Sequence, residues 1–375
     1  MKKCVFIINQ DWYFCLHWMQ RAKAAQRAGF DVWVAVPHGE MVGLIEAEGF
    51  KWIETSLSRN GIFPVKEVAA LWKLFLGIRR ISPNLIINIT VKPNVYGSVV
   101  GTILRCPVVN NVTGLGSLFS RPTLKNSILR RGVLSAFCLL GLKDDITFLF
   151  ENKDDRNLFL QRKIVTRNKT FLMPGSGVDP NLFKYAEEPK DDCIHILFAA
   201  RLLWDKGIKE LVQASEILKN RGLNFKIFVA GIVDCGNSNS VPIEFLEDWE
   251  KSGLICWLGQ CDDMPKLLAS VHIAVLPSSY GEGIPRFLIE AASCGRPIVT
   301  TDISGCRDFV IHEKNGLIVP PNDPVLLANS LSILIANASE RCRMGNYGRR
   351  LVLEGYTEDI VTKSTLKIYK EMSKL

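Results

Sequence analysis

What this 375-residue chain lacks narrows its possible functions before any motif is considered. No apolar run reaches the roughly 18 to 20 residues of a membrane-spanning helix; the longest candidate, Gly132 to Leu142, stops well short. The start is basic, but its apolar stretch after Lys3 is soon followed by Asn9, Gln10 and Asp11, so a first strand is expected there rather than a signal peptide. The 11 cysteines include no Cys-x-x-Cys pair, and their odd number argues against a full disulfide framework. Free thiols in a cytosolic, reducing compartment fit best, and no zinc-ligand spacing is visible. Asp-x-Asp occurs nowhere, which fits a site that works without metal. Acidic residues are missing altogether from Val68 to Lys143, a stretch holding ten basic ones. Residues 1–190 carry net +11 and residues 191–375 net −3, within the overall +8. Such a bias suggests an anionic partner for the first half, although a solvated basic face would read the same way.

What is present is ordinary for a globular chain: 47% hydrophobic and 22% charged residues, enough for two domains each with its own core. Lys3 to Asn9 reads as a buried strand, His17 to Ala28 as a helix and Asp31 to Val36 as a second strand. This is a βαβ unit of the kind that builds parallel, Rossmann-like sheets, but without Gly-x-Gly-x-x-Gly and so without a dinucleotide fingerprint. The Asp11-Trp12-Tyr13-Phe14 loop offers Trp12 and Tyr13 as faces on which a sugar could stack, core packing being the alternative; His17 is a possible polar site residue or simply structural. Strands follow at Leu85 to Thr90 and Val108 to Val112. Lys92 stands at a strand end before Pro93, a proline that stops regular structure, and is placed for a diphosphate; Thr113-Gly114-Leu115-Gly116 allows close backbone approach to a ligand. Ser120 to Lys143, with Arg121, Lys125, Arg130 and Arg131 among leucines, reads as a partly amphipathic segment for an anionic membrane surface, or as a buried helix with a charged edge. Glu187 to Asp192, charged and broken by Pro189, reads as the linker.

In the second half, Ile194 to Ala200 is a strand, and Arg201-Leu202-Leu203-Trp204-Asp205-Lys206-Gly207 leads into a helix. Two cations five residues apart across such a loop suit a diphosphate, Arg as a planar fork and Lys as a point charge. Residues 273–301 read as strand, loop, helix, strand: Ile273 to Leu276, then a loop, a helix opened by Pro285 and closed by Gly295, then Pro297 to Thr300. Helix N-terminal amides favour a phosphate. Glu282 on the loop and Glu290 on the helix can accept hydrogen bonds from sugar hydroxyls beside it. One anion site flanked by two hydroxyl acceptors describes a nucleotide-sugar pocket, unless both glutamates are merely solvated.

Glu282-Gly283-x-Pro285-x4-Glu290 resembles the E-x7-E signature of family 4 retaining glycosyltransferases, which have the GT-B fold. Arg201-x4-Lys206-Gly207, the Gly295-Arg296-Pro297 stretch, Gly305-Cys306-Arg307-Asp308 and Asn315-Gly316-Leu317 continue the resemblance, which covers essentially the whole chain. Asp11-Trp12-Tyr13-Phe14 with His17, and Thr90-Val91-Lys92-Pro93-Asn94, resemble a narrower subgroup that elongates saccharides on polyprenyl-diphosphate carriers for bacterial surface glycans. The resemblance implies an α/β, GT-B architecture: two Rossmann-like domains with parallel sheets facing a central cleft. Residues 1–188 would bind the acceptor, 189–355 the nucleotide sugar, and 356–375 would form a helix packing back on domain one. It implies catalytic roles for Arg201, Lys206 and Glu282. Donor binding would fall to Glu290, Gly283, Ile284, Pro285, Arg286, Gly231 and Cys261. Acceptor contacts would come from Trp12, Tyr13, His17, Lys92, Thr113 and Gly114. Where relatives carry a histidine, Thr113 stands, so no general base is named.

The expected reaction transfers a hexose or N-acetylhexosamine from a nucleotide sugar, UDP-linked, to a lipid-diphosphate-linked saccharide, with no cofactor and no metal. The expected partners are that donor, that acceptor and the anionic inner face of the plasma membrane, with no nucleic acid. Two other readings stay open: a GT-B sugar-nucleotide epimerase, and a non-catalytic subunit that binds a saccharide or carrier lipid.

Overall fold

The short apolar runs become parallel strands buried on both faces, which is why they are continuous rather than alternating. The computed structural model describes residues 1–57, 64–116, 124–234 and 236–374. Two compact units emerge: Met1–Ser176 together with Glu358–Leu375, and Gly177–Thr357.

The first unit holds a seven-stranded parallel sheet, β1 (Lys2–Ile7), β2 (Phe30–Val36), β3 (Lys51–Glu54), β4 (Leu85–Ile89), β5 (Val108–Val112), β6 (Ile146–Phe150) and β7 (Thr170–Leu172), in the order β3-β2-β1-β4-β5-β6-β7. Val5 lies opposite Trp33 on one side and Ile86 on the other. Alternate residues of β1 feed two cores: Cys4 and Phe6 on one face of the sheet, Val5 and Ile7 on the other. The covering helices are α1 (Asp11–His17), α2 (Met19–Arg27), α3 (Val42–Ala47), α4 (Pro64–Ile81), α5 (Val91–Leu104), α6 (Leu124–Gly141) and α7 (Lys153–Gln161), with the last helix of the chain, α15 (Glu358–Met372), packed on α2.

The second unit holds six parallel strands, β8 (Ile194–Ala199), β9 (Phe225–Ala230), β10 (Cys256–Gly259), β11 (Ile273–Leu276), β12 (Ile298–Thr301) and β13 (Gly316–Val319), ordered β10-β9-β8-β11-β12-β13 around one core. Its helices are α8 (Ile208–Asn220), α9 (Ile243–Lys251), α10 (Met264–Ala269), α11 (Arg286–Ser293), α12 (Cys306–Phe309), α13 (Pro324–Ala336) and α14 (Ala338–Gly355).

Three readings of the sequence need correction. Asp11 to Phe14 is not a loop but most of α1, which breaks at Trp18 (φ −123°) before α2. Asp11 accepts hydrogen bonds from the amides of Trp12 and Met41. Pro93 does not end regular structure: it sits in the first turn of α5, where its missing N–H costs no helical bond. Residues 177–188 belong to the second unit, and Glu187 to Asp192 is not a loose linker. Val178 pairs with Thr357, Phe183 enters the second core, and Glu188 forms a two-pronged ion pair with Arg341 at 2.9 and 3.0 Å. Ser120 and Arg121 of the basic segment, and the side chains of Leu124 and Lys125, lie outside the described residues.

Candidate active site

In each sheet the strand order reverses direction once, between β1 and β4 and between β8 and β11. Loops leaving the carboxyl ends of such neighbouring strands diverge and open a crevice, the usual ligand position in open α/β sheets. Most of the candidate residues fall on these loops or on the helices that follow them.

In the second unit, β8 runs out into Arg201 and a 3-10 turn, Trp204–Lys206, that ends at Gly207 with φ 80°. A Cβ at Gly207 would collide with the carbonyl of Pro277 at the end of β11, so glycine here lets the two switch-point loops touch. Across that contact, the Lys206 ammonium is ion-paired with the Glu282 carboxylate. The other oxygen of Glu282 accepts a 2.7 Å hydrogen bond from the Ser278 hydroxyl, which also donates to the Asp205 carbonyl at 3.0 Å. The Tyr280 ring lies 5.4 Å from the Lys206 nitrogen. Lys206 is buried, and burial alone would lower its pKa; Glu282 and Tyr280 outweigh that and raise it above the ordinary 10.5. Burial pushes the Tyr280 phenol up in turn. Arg201 reaches Asp234 at 3.3 Å.

Helix α11 starts after Pro285, whose fixed φ and missing N–H suit a helix entrance. Its first residue is the half-buried Arg286, whose Nε donates to Glu290 one turn on at 2.7 Å. Burial raises the Glu290 carboxyl against the pull of Arg286. Behind this loop stands Gly305 (φ 82°), where a Cβ would strike the carbonyls of Gly283 and Glu282. The structure thus gathers Arg201, Lys206 and Glu282 with Gly283, Ile284, Pro285, Arg286 and Glu290 along the loops of β8 and β11. Gly231 and Cys261 lie on the β9 and β10 side. Gly231 uses its own N–H on Gly259 at 2.7 Å, and its carbonyl accepts the Trp257 indole at 3.0 Å. Sequence reasoning missed Ser278, Tyr280 and Asp234. The first two stand on the loop between Leu276 and Pro285, while Asp234 carries no local signal.

In the first unit, Trp12, Tyr13 and His17 share α1 and are partly exposed; the Tyr13 and His17 rings are 4.4 Å apart and Trp12 meets Tyr13 edge-on at 5.6 Å. Thr90, between β4 and α5, holds φ 75°, a region β-branched residues rarely occupy, and its hydroxyl lies 3.3 Å from Asn9 after β1. Lys92 is ion-paired with Glu67 of α4 at 2.8 Å, and Tyr96 donates to the same carboxylate at 2.5 Å. Thr113 and Gly114 follow β5. These residues therefore line the carboxyl edge of β1, β4 and β5. Among the described residues no group of three His, Cys, Asp or Glu side chains could hold a metal ion.

Two Rossmann-like domains built on parallel sheets make this a GT-B chain. HepE from Anabaena in complex with UDP-glucose superposes with a TM-score of 0.79 at 18% identity, covering 99% of this chain and all of that one. Sucrose-phosphate synthase from Thermosynechococcus elongatus gives 0.79 at 19%, covering 99% of both chains. Residues 181–351 match the family model of glycosyl transferases group 1, and residues 3–140 that described as glycosyl transferase 4-like. Together the two matches take in most of the chain and mark it as a glycosyltransferase. Its relatives include the N,N'-diacetylbacillosaminyl-diphospho-undecaprenol alpha-1,3-N-acetylgalactosaminyltransferase of Campylobacter jejuni, 27% identical over 94% of each chain. The capsular polysaccharide biosynthesis glycosyltransferase CapM of Staphylococcus aureus is 24% identical over 82% of each.

Proposed function

We propose that this glycosyltransferase moves a hexosyl or N-acetylhexosaminyl residue from a UDP-sugar to a lipid-diphosphate-linked saccharide, with retention at the anomeric carbon and without a metal. The carrying observation is the Lys206–Glu282 pair on facing switch-point loops, with Arg201 on the same strand exit. A raised pKa keeps Lys206 cationic at neutral pH. As the bond from the anomeric carbon to the diphosphate breaks, Lys206 and Arg201 stabilise the charge gathering on the leaving phosphates, and the acceptor hydroxyl passes its proton to a leaving phosphate oxygen. Preorganised charge of this kind is usually the largest catalytic contribution. Glu290 holds the ribose hydroxyls and Glu282 the donor sugar beside the amides of Gly283 and Ile284. Trp12, Tyr13, His17, Lys92 and Thr113–Gly114 face the acceptor. The lipid-diphosphate acceptor is supported by the name of the Campylobacter relative.

The inner face of the plasma membrane is the proposed location, reached without a spanning segment: among the described residues no helix is long and apolar enough to cross a bilayer. Val65, Val68, Trp72 and Leu76 are exposed along one stripe of α4, with Trp72 61% exposed and Lys73, Arg79 and Arg80 on the same helix. An apolar stripe with basic neighbours suits an anionic interface. Flotation with phosphatidylglycerol vesicles tests it: Trp72→Ser should weaken recovery, and undiminished recovery would remove α4 from the interface.

Transfer is tested by offering UDP-, GDP- and dTDP-sugars with a synthetic lipid-diphosphate monosaccharide. One UDP-sugar should lengthen the lipid, and Arg201→Ala and Glu290→Ala should each abolish it. UDP-GlcNAc consumed without lipid extension would instead favour the epimerase reading.

A further inference from the structure

A cavity of about 650 Å³ in the Gly177–Thr357 unit is lined by none of the paired residues Lys206, Glu282, Arg286 and Glu290. It opens between α8 and α9 beside the 3-10 turn that carries Lys206. Its apolar wall is aromatic. Trp204 meets Phe245 edge-on at 5.4 Å and Trp249 edge-on at 6.1 Å, and Phe245 lies 5.7 Å from Trp249. Phe245 is 47% exposed although it is a large apolar side chain. Val212 adds one aliphatic side chain, and the rest of the lining is polar: Asp205, Glu210 and Glu216 against the one lysine Lys209, with Gln213, Ser279 and Asn322.

This combination selects a ligand class. Exposed ring faces cover the apolar C–H faces of a pyranose, while carboxylates and amides accept and donate to its hydroxyls. Three acidic residues against one basic residue repel a phosphate or a nucleotide. A lipid chain would gain nothing from the polar half of the lining. A trimethylammonium group would fill only a small part of 650 Å³, a volume within the usual 300–1,000 Å³ range of small-molecule sites. We propose that this cavity is an accessory binding site for a neutral oligosaccharide, separate from the nucleotide-sugar site. The backbone connects the two: Trp204 lines the cavity, and the carbonyl of Asp205 accepts from Ser278 and Ser279 on the Glu282 loop.

The inference stands on the chemistry of the cavity and not on the donor assignment, and the test keeps them separate. The full chain is titrated with maltotriose, cellotriose and chitotriose by calorimetry and by tryptophan fluorescence, with and without saturating UDP. At least one trisaccharide should bind saturably with a change in indole emission, and UDP should leave that binding in place. Trp249→Ala should weaken it at least tenfold with UDP affinity unchanged. Glu216→Lys, an exposed substitution that spares the core, should weaken it as well. Failure of all three trisaccharides to bind would overturn the proposal. So would displacement by UDP, binding unaltered in both variants, or an emission change given by tetramethylammonium alone. Failure of UDP to bind would defeat the donor assignment while trisaccharide binding remained readable.

Discussion

Lys206 is buried, and it stays protonated because of two neighbours, Glu282 above all. Burial lowers its pKa; Glu282 at its ammonium, with Tyr280, raises it above 10.5. Replacing Glu282 by Gln removes the largest raising influence and leaves Tyr280 alone against burial and Arg201, both of which lower it. The Glu282→Gln enzyme should therefore gain an alkaline limb in its kcat–pH profile that the wild type lacks below about pH 10, on top of a lower rate. A profile parallel to wild type would mean that Glu282 does not hold the Lys206 charge. At Glu290 burial prevails over the charged neighbour instead. Burial raises its carboxyl above the ordinary 4.5 although Arg286 pulls it down. The folded state therefore binds its proton more tightly than the unfolded one, and stability falls as pH rises from 4.5 through the raised value. Arg286→Ala removes the opposing charge, pushes the carboxyl further up and extends the fall toward neutral pH. Melting temperatures from pH 4.5 to 8 should drop more steeply for the variant; equal slopes would show that Arg286 does not support the charged form.

At the scale of elements, the loops carry the site and glycines set how closely they approach. Gly305 at φ 82° backs the Glu282–Gly283 loop with no room for a Cβ. Gly305→Ala should cost about 1–2 kcal/mol from the left-handed backbone alone. It should also displace Glu282, so transfer should fall well beyond what the lower melting temperature explains; an active variant with only a lower melting temperature would separate this glycine from the site. The same elements show what local sequence reveals. The strand–loop–helix–strand of residues 273–301 was legible because an apolar run, Pro285 and Gly295 are all local signals. The α1 helix was not: seven residues beginning Asp-Trp-Tyr-Phe complete barely two turns and carry no periodic stripe. Pro93 read as a stop because a proline inside a helix and one in its first turn look alike until the start of the helix is known. The residues of the Lys206–Glu282 pair could be named, but not their contact, since 76 positions separate them. Glu188 read as linker for the same reason, its partner Arg341 being 153 residues away.

For the whole molecule, the chain path predicts that the two units are unequal when separated. The second, Gly177–Thr357, is one uninterrupted segment with its own six-stranded sheet and core. The first needs two segments, because α15 returns to it after the second is complete. That helix buries Val361, Ile368 and Tyr369, and the Tyr369 ring lies edge-on 6.1 Å from Phe6 in the centre of the sheet. Lys2 also donates to the carbonyls of Ser373 and Lys374 at 2.7 and 2.5 Å. Burying a side chain of that size stabilises by about 1.5–3 kcal/mol, so losing Ile368 and Tyr369 together removes much of a stability that for whole domains is about 5–15 kcal/mol. Residues 177–357 expressed alone should therefore melt cooperatively and bind UDP without transferring sugar. Residues 1–176 alone should be protease-sensitive, and adding a 358–374 peptide in excess should protect them, because the peptide restores the missing part of the core. If residues 1–176 alone resisted protease as well as the full chain, α15 would be dispensable for that fold. If residues 177–357 folded but failed to bind UDP, the donor site would need residues beyond its own switch-point loops.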